Sequence, residues 1–193
     1  DKMIELVTKA EDHLRSIDAF DKLAEAVYQP TAADYLSLAQ ARQAASLYHK
    51  APMLASWKMD SKNVGFSSLE NIDDIATRGP LTPDHTLQTK RIPAILADNP
   101  SEGVNTFAEN YLKYFEKNND GSLSCLDPAP RYAVWRGKGT VIFSANIKKK
   151  KIISDMVEHT IRAIQWGEAL GGWTVLSEGE IFELEYWELE QAK

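Results

Sequence analysis

The sequence has very little cysteine: among its 193 residues, Cys125 is the single one. One cysteine cannot form an intramolecular disulfide, and without a Cys-x-x-Cys pair there is no sign of a thiolate zinc site. This scarcity excludes a small domain stapled by disulfides. It is typical of a protein of the reducing cytoplasm, which is the location we expect.

The sequence also lacks an excess of positive charge and any long apolar run. Its 22 Lys and Arg residues are outnumbered by 28 Asp and Glu residues, which gives a formal net charge of −6. A field of this sign opposes phosphate backbones and anionic lipids, so we expect neither nucleic acid nor membrane as a partner. No run reaches the roughly 18 apolar residues that a membrane span requires. The composition, 44% hydrophobic and 26% charged, is that of an ordinary globular domain.

Three common catalytic signatures are missing from this chain. The histidines have no H-x-H, H-x-x-H or H-E-x-x-H spacing, so we expect no metal site built from them. No G-x-G-x-x-G fingerprint and no Tyr-x-x-x-Lys pair is present, so we expect no bound nicotinamide cofactor in this chain. No serine lies in the G-x-S-x-G elbow of a hydrolase. The four histidines are His13, His49, His85 and His159.

What is present begins with helical patterns alone over residues 1–50. Residues 1–15 have apolar side chains at helical spacing, and a second helix is predicted from Phe20 to Tyr28. Thr31 is a suitable N-cap for a longer, alanine-rich helix. The first quarter of the chain is therefore expected to be helical.

Residues 51–175 alternate strand and helix patterns, and residues 176–193 form an acidic and aromatic arm. Pro93 limits its strand to a sheet edge, because proline cannot donate a backbone hydrogen bond. Together these patterns predict an α/β or α+β fold: a helical N-terminal part followed by a small mixed sheet flanked by helices. Strands are expected over residues 53–58, 92–97, 131–136 and 140–144, and helices over residues 102–118 and from Asn146 to the glycine pair at 171–172.

The strongest candidate for chemistry is a polar loop that contains Asp84, His85, Thr89, Lys90 and Arg91. Asp84 can orient the imidazole of His85, while Lys90 and Arg91 can donate charge-assisted hydrogen bonds to a carboxylate or phosphate. We expect the first pair to face the second across a turn, forming an anion site. The alternative is a solvated loop in which Asp and His serve the local backbone.

Four stretches resemble one known family. Residues 3–14 (MIELVTKAEDHL) are similar to the last helix of a class II aldolase/adducin-type domain. Residues 81–93 (LTPDHTLQTKRIP) resemble a segment downstream of that domain in bifunctional proteins that join a rhamnulose-1-phosphate-aldolase-like half to a short-chain dehydrogenase half. Residues 158–172 (EHTIRAIQWGEALGG) and 184–193 (LEYWELEQAK) resemble the region leading into the dehydrogenase.

This resemblance implies that the chain is the middle segment of such a fusion. Residues 1–50 would continue from a preceding aldolase-like domain, residues 51–175 would form an α/β domain, and residues 176–193 would lead to a following domain. The parent would be a cytoplasmic lyase of carbohydrate metabolism with dehydrogenase activity, using a divalent metal and NAD. The motifs that hold those groups would lie outside this chain. We therefore expect a domain that is inactive alone, whose partners are the adjacent domains, a second copy of itself and a phosphorylated sugar.

The strand-turn-strand-helix from residue 131 to residue 169 also resembles the closing unit of the aldolase fold, with Lys138 at the turn where the family carries a histidine metal ligand. The resemblance thus implies a degenerate aldolase-like half without its metal. Two alternatives remain open from the residues themselves. One is an independent small-molecule enzyme or anion-binding domain that uses the segment from Asp84 to Arg91, and the other is a protein interaction module that uses the acidic tail.

Overall fold

A computed structural model describes residues 1–20 and 23–191 of the chain. The first helix and the alanine-rich helix after Thr31 form as expected, and the Thr31 side chain accepts a hydrogen bond from the backbone N–H of Asp34. Within the described residues the order of elements is α1 (Lys2–Ser16), α2 (Ala32–His49), β1 (Leu54–Lys58), α3 (Ser61–Ser67), α4 (Ile72–Ala76), α5 (Pro83–Thr89), β2 (Ala94–Leu96), α6 (Pro100–Asn118), β3 (Tyr132–Trp135), β4 (Gly139–Ser144), α7 (Ile147–Ala169), α8 (Glu178–Glu185) and α9 (Glu188–Gln191).

The four strands form one mixed sheet in the order β1-β4-β3-β2. β3 and β4 are an antiparallel hairpin, β1 pairs with β4 antiparallel, and β2 pairs with β3 in parallel. Ala133 of β3 stands opposite both Ala94 and Val141, which fixes the register across the sheet. β2 lies at the edge, in agreement with the expectation from Pro93.

Helices cover both faces of the sheet. Successive side chains of β3 point to opposite faces and so contact different helices. Trp135 and Ala133 join a core cluster with side chains of α2, α6 and α8, whereas Tyr132 and Val134 join a second cluster with α4 and α7. The predicted fold class, a helical N-terminal part followed by a small mixed sheet flanked by helices, is therefore confirmed.

The helix predicted from Phe20 to Tyr28 is wrong over residues 23–28, which have no regular secondary structure. The backbone N–H of Ala24 donates to Gln165 Oε1 at 2.7 Å. The N–H of Ala26 donates to the carbonyl of Ser61 at 3.0 Å. These amides bond to distant elements, so they are not available for a helical ladder. Asp21 and Lys22 lie outside the described residues.

The tail, predicted as an acidic and aromatic arm, packs onto the domain over its first half. Ile181, Phe182, Glu185 and Tyr186 are buried, and α8 contacts α5 and α6. The last two residues, 192 and 193, lie outside the described part of the chain. A separate search of the described residues finds no helix with the length and apolar character that crossing a bilayer would need.

Candidate functional site

The segment from Asp84 to Arg91, expected to be a loop, is mostly helix. Thr82 caps α5, since its side chain accepts a hydrogen bond from the N–H of His85, and Pro83 occupies the first helical turn. Proline is tolerated there because the N–H that it lacks has no partner inside a helix. This local chemistry outweighs the turn that the proline otherwise suggests.

His85 is buried, and its imidazole has a local hydroxyl partner. Its Nδ1 lies 2.8 Å from Thr82 Oγ1. Burial lowers the pKa of His85 below its ordinary value, and the proximity of His159 lowers it further, against an opposing contribution from the Met156 backbone. An imidazole with a lowered pKa and a local hydroxyl partner fills a structural position in the packing of α5 on α7.

The five candidate residues do not converge on one point. Asp84 is exposed, and Thr89 Oγ1 donates to the carbonyl of His85 at 2.7 Å. Among the described residues, no ion pair or side-chain hydrogen bond joins Asp84 or His85 to Lys90 or Arg91. The expected arrangement of an Asp-His pair facing a Lys-Arg pair is therefore not formed.

Lys90 turns inward at the end of α5. Its backbone has a positive φ of 67°, which ends the helix, and its side chain lies in the core. The side chain is 5% exposed, and Nζ lies 3.7 Å from Glu185 Oε1. Nζ also lies 3.8 Å from the centre of the Tyr111 ring. Burial lowers the pKa of Lys90 to about 8, although the carboxylate of Glu185 opposes that shift.

Glu185 and two tyrosines complete this buried cluster. The Tyr111 hydroxyl donates to Glu185 Oε1 at 2.7 Å, and the hydroxyl oxygens of Tyr111 and Tyr186 are 2.9 Å apart. Burial, followed by the charge of Glu185, raises the pKa of Tyr111 far above its ordinary value. The sequence analysis missed Glu185 and both tyrosines. The signal that could have found them is the aromatic and acidic character of the tail, because a buried lysine needs an acidic partner.

Arg91 points to the other side, where it borders a cavity between residues 91–95 and α6. Its Nη2 lies 3.6 Å from Glu178 Oε2, and its guanidinium carbon is 5.2 Å from the centre of the Tyr114 ring. The two consecutive basic residues therefore lie in different environments. The side chain of Lys90 is in the core, and that of Arg91 is at the border of the cavity.

A divalent metal does not fit the residues described. In residues 1–20 and 23–191, no group of three or more His, Cys, Asp or Glu side chains could hold an ion. Lys138, at the turn of the β3–β4 hairpin, donates to Asp34 Oδ1 at 2.6 Å. Burial alone would raise the pKa of Asp34, but hydrogen bonds from Lys138, Thr31 and Tyr28 hold it well below its usual range. The turn therefore carries an internal ion pair.

Comparison with known proteins gives a family. Residues 31–193 match the family described as aldolase class II, second domain. The uncharacterized oxidoreductase YuxG of Bacillus subtilis (strain 168) is 30% identical over 127 residues, which are 60% of this chain and 18% of YuxG, so the chain spans less than a fifth of that relative. Crystal structures of YgbL, a candidate aldolase/epimerase/decarboxylase, from Klebsiella pneumoniae and Escherichia coli align with TM-scores of 0.47 at 16% and 15% identity, over 77% of this chain and 64% and 65% of theirs. Because the family match runs from the N-cap of α2 through α9, the chain belongs to the family of class II aldolase second domains.

Proposed function

We propose that this chain is a non-catalytic domain of a class II aldolase polypeptide that acts on a sugar phosphate and also carries a short-chain dehydrogenase portion. The family match supports the aldolase part of this proposal. The oxidoreductase name of YuxG, together with the small share of YuxG that the chain covers, supports the presence of further domains. In this proposal the divalent metal and NAD are held by those other domains, in the cytoplasm, and this domain supports their assembly or a phosphate-facing surface.

The observation that carries the non-catalytic assignment is the use of Lys90. In an enzyme, a lysine with a lowered pKa is a candidate base or nucleophile when it faces a substrate cleft. Here its ammonium group is enclosed by Tyr111 and by Glu185 of α8. The most perturbed cation of the candidate segment therefore fastens α8 to the rest of the domain.

The same contacts favour a role in assembly over a free interaction tail. Phe182 and Tyr186, two aromatic residues of the acidic tail, are buried in the domain itself. Trp187 and Leu189 remain 52% and 63% exposed beyond the fastened helix. In this proposal they are the surface that an adjacent domain or a second copy of the chain covers.

An activity assay tests the proposal. The purified chain is incubated with rhamnulose 1-phosphate, with and without added zinc, and the aldehyde product is measured; an authentic class II aldolase is the positive control. We expect no cleavage above the rate without protein. Cleavage that is lost in His85→Ala, but kept when the exposed Lys113 is changed to Met, would contradict the proposal and favour the independent-enzyme alternative.

A further inference from the structure

A cavity of about 150 Å³ lies at the free edge of the sheet, next to the buried cluster around Lys90, with which it shares Tyr111. One wall is the chain entering β2, and the other is the face of α6 that packs on it. An engineered apolar cavity of about this size holds a benzene molecule, so the space suits a compact organic group. The lining includes Arg91, Ile92, Ile95, Phe107, Asn110 and Tyr114.

The guanidinium of Arg91 is the one cationic group in that lining, and its hydrogen-bonding capacity is unused. Its side chain is 20% exposed and has no hydrogen bond to any residue in the described ranges. Its nearest anion, Glu178, is 3.6 Å away and is hydrogen-bonded by Lys117 at 2.8 Å. Two cations thus share one carboxylate, which leaves a local excess of positive charge. A guanidinium with free donors in this setting matches a carboxylate.

The walls of the cavity are mostly apolar and aromatic, and the polar side chains in the lining besides Arg91 and the tyrosines are Thr77, Thr106 and Asn110. Phe107, Tyr111 and Tyr114 are 5–7% exposed and contribute their rings. The Tyr111 hydroxyl is already bonded to Glu185 and Tyr186, so this residue offers a ring and not a donor. The hydroxyls of a sugar would therefore lose water along most of the surface without gaining partners, which is costly. An apolar body gains by entering the same space.

We propose that this cavity binds a small carboxylate whose apolar body is about the size of a benzene ring, with the carboxylate paired to Arg91. The body lies between the aromatic side chains of α6 and the segment from Ile92 to Ile95. This ligand class differs from the sugar phosphate of the proposed function, and the site stands whether or not the chain belongs to a sugar-phosphate aldolase. The domain would then carry a small-molecule site of its own.

Nuclear magnetic resonance titration of the whole chain tests this site. The probe is benzoate, compared with neutral benzyl alcohol and with inorganic phosphate, and the observed signals are the backbone amides of Thr77, Ala94 and Thr106. We expect saturable shifts of these amides with benzoate. Arg91→Met is expected to weaken benzoate about ten- to a hundredfold, the usual cost of losing a charge-assisted hydrogen bond. Lys113→Met, which removes an exposed α6 cation outside the cavity, is expected to change nothing.

Each other result overturns the proposal. If benzyl alcohol binds as tightly as benzoate, the carboxylate does not pair with Arg91. If phosphate displaces benzoate at equal concentration, the cavity does not require an apolar body in its ligand. If the amides do not shift at a high benzoate concentration, the cavity does not bind this ligand. If Arg91→Met does not fold, Asn110→Trp places a bulky ring at the rim and must weaken benzoate while the amide spectrum of the folded domain is kept.

Discussion

Lys90 shows how a single residue can be forced into an unfavourable environment by its neighbours. It follows the last residue of α5 with a positive φ and places its ammonium group beside Glu185 and above the Tyr111 ring. Removing two charges from water costs several kcal/mol, and their attraction compensates for this only partly. The lowered pKa of Lys90, about 8, is the measure of that incomplete compensation.

The pH dependence of stability follows from that pKa. Below pH 8 Lys90 is charged in the folded and unfolded states. Between pH 8 and 10 the folded protein releases a proton that the unfolded chain keeps, so the free energy of unfolding is expected to rise by about 2 kcal/mol. Urea denaturation at the two pH values measures it. The double variant Lys90→Met/Glu185→Gln should lack this rise; an equal rise in that variant would assign the effect to another group.

Asp34, unlike Lys90, is a buried charged group whose burial is compensated by hydrogen bonds. It accepts hydrogen bonds from Lys138, from Tyr28 and from the N–H and hydroxyl of Thr31. Its pKa is lowered, so its stabilising contribution is complete above the ordinary Asp value near 4 and is lost as the pH falls below it.

Asp34→Ala is therefore expected to cost about 2 to 3 kcal/mol of unfolding free energy at pH 7, because it leaves Lys138 without its anion and removes the capping box of α2. Denaturant unfolding at pH 7 and at pH 3.5 measures the loss, which should shrink at the lower pH. Asp155→Ala, on the exposed side of α7, is the matched control and should be neutral. Equal losses in the two variants would contradict the role of the Lys138 pair.

At the scale of elements, α8 depends on its aromatic contacts. The ring of Phe182 lies 5.4 Å from that of Tyr114 and 4.5 Å from that of Tyr186, centre to centre. Phe182→Ala is expected to cost about 3 to 4 kcal/mol, the usual price of a large buried cavity. Trp187→Ala, two residues beyond α8 and half exposed, should cost less than about 1 kcal/mol. Chemical denaturation compares them, and similar losses would mean that α8 is not anchored by Phe182.

Two helical glycines are expected to respond in opposite ways to alanine. A Cβ on Gly103 would lie 2.3 Å from the carbonyl oxygen of Ile95, so α6 can approach β2 closely only with glycine there. Gly179, in the first turn of α8, has its nearest atom at an ordinary 3.8 Å. Gly103→Ala should destabilise the domain, whereas Gly179→Ala should stabilise it by about 0.5 to 1 kcal/mol. The melting temperatures of the two variants test this expectation. A higher melting temperature for Gly103→Ala would contradict the close approach of α6 to β2.

Local sequence patterns were enough to predict most helices and strands. Contacts between residues distant in sequence could not be predicted from them. The Thr31 cap, the two strands on either side of Lys138 and the edge position of Pro93 depend on neighbours in sequence, and all were predicted. Residues 23–28 were misassigned because their amides bond to Ser61 and Gln165. The partner of Lys90 lies 95 positions away in sequence, so a pattern within residues 84–91 could not reveal that the side chains of Lys90 and Arg91 would go to different places.

At the scale of the whole molecule, α1 stands apart from the two core clusters. None of its residues is buried, and Met3, Leu6 and Val7 are 56–72% exposed on its apolar side. The family match begins only at residue 31. A 15-residue helix has little stability by itself in water, because tertiary packing supplies most helical stability in proteins.

Hydrogen exchange therefore separates α1 from the domain. We expect the amides of α1 to exchange at least a hundredfold faster than those of β4, whose residues are all buried and which lies between β1 and β3 in the sheet. Peptide-level mass spectrometry at several protein concentrations measures both segments in one experiment. Slow exchange in α1 at every concentration would mean that its apolar side is covered within the chain. Protection that grows with concentration would mean that a second copy covers it, which is the homo-oligomer expected from the resemblance.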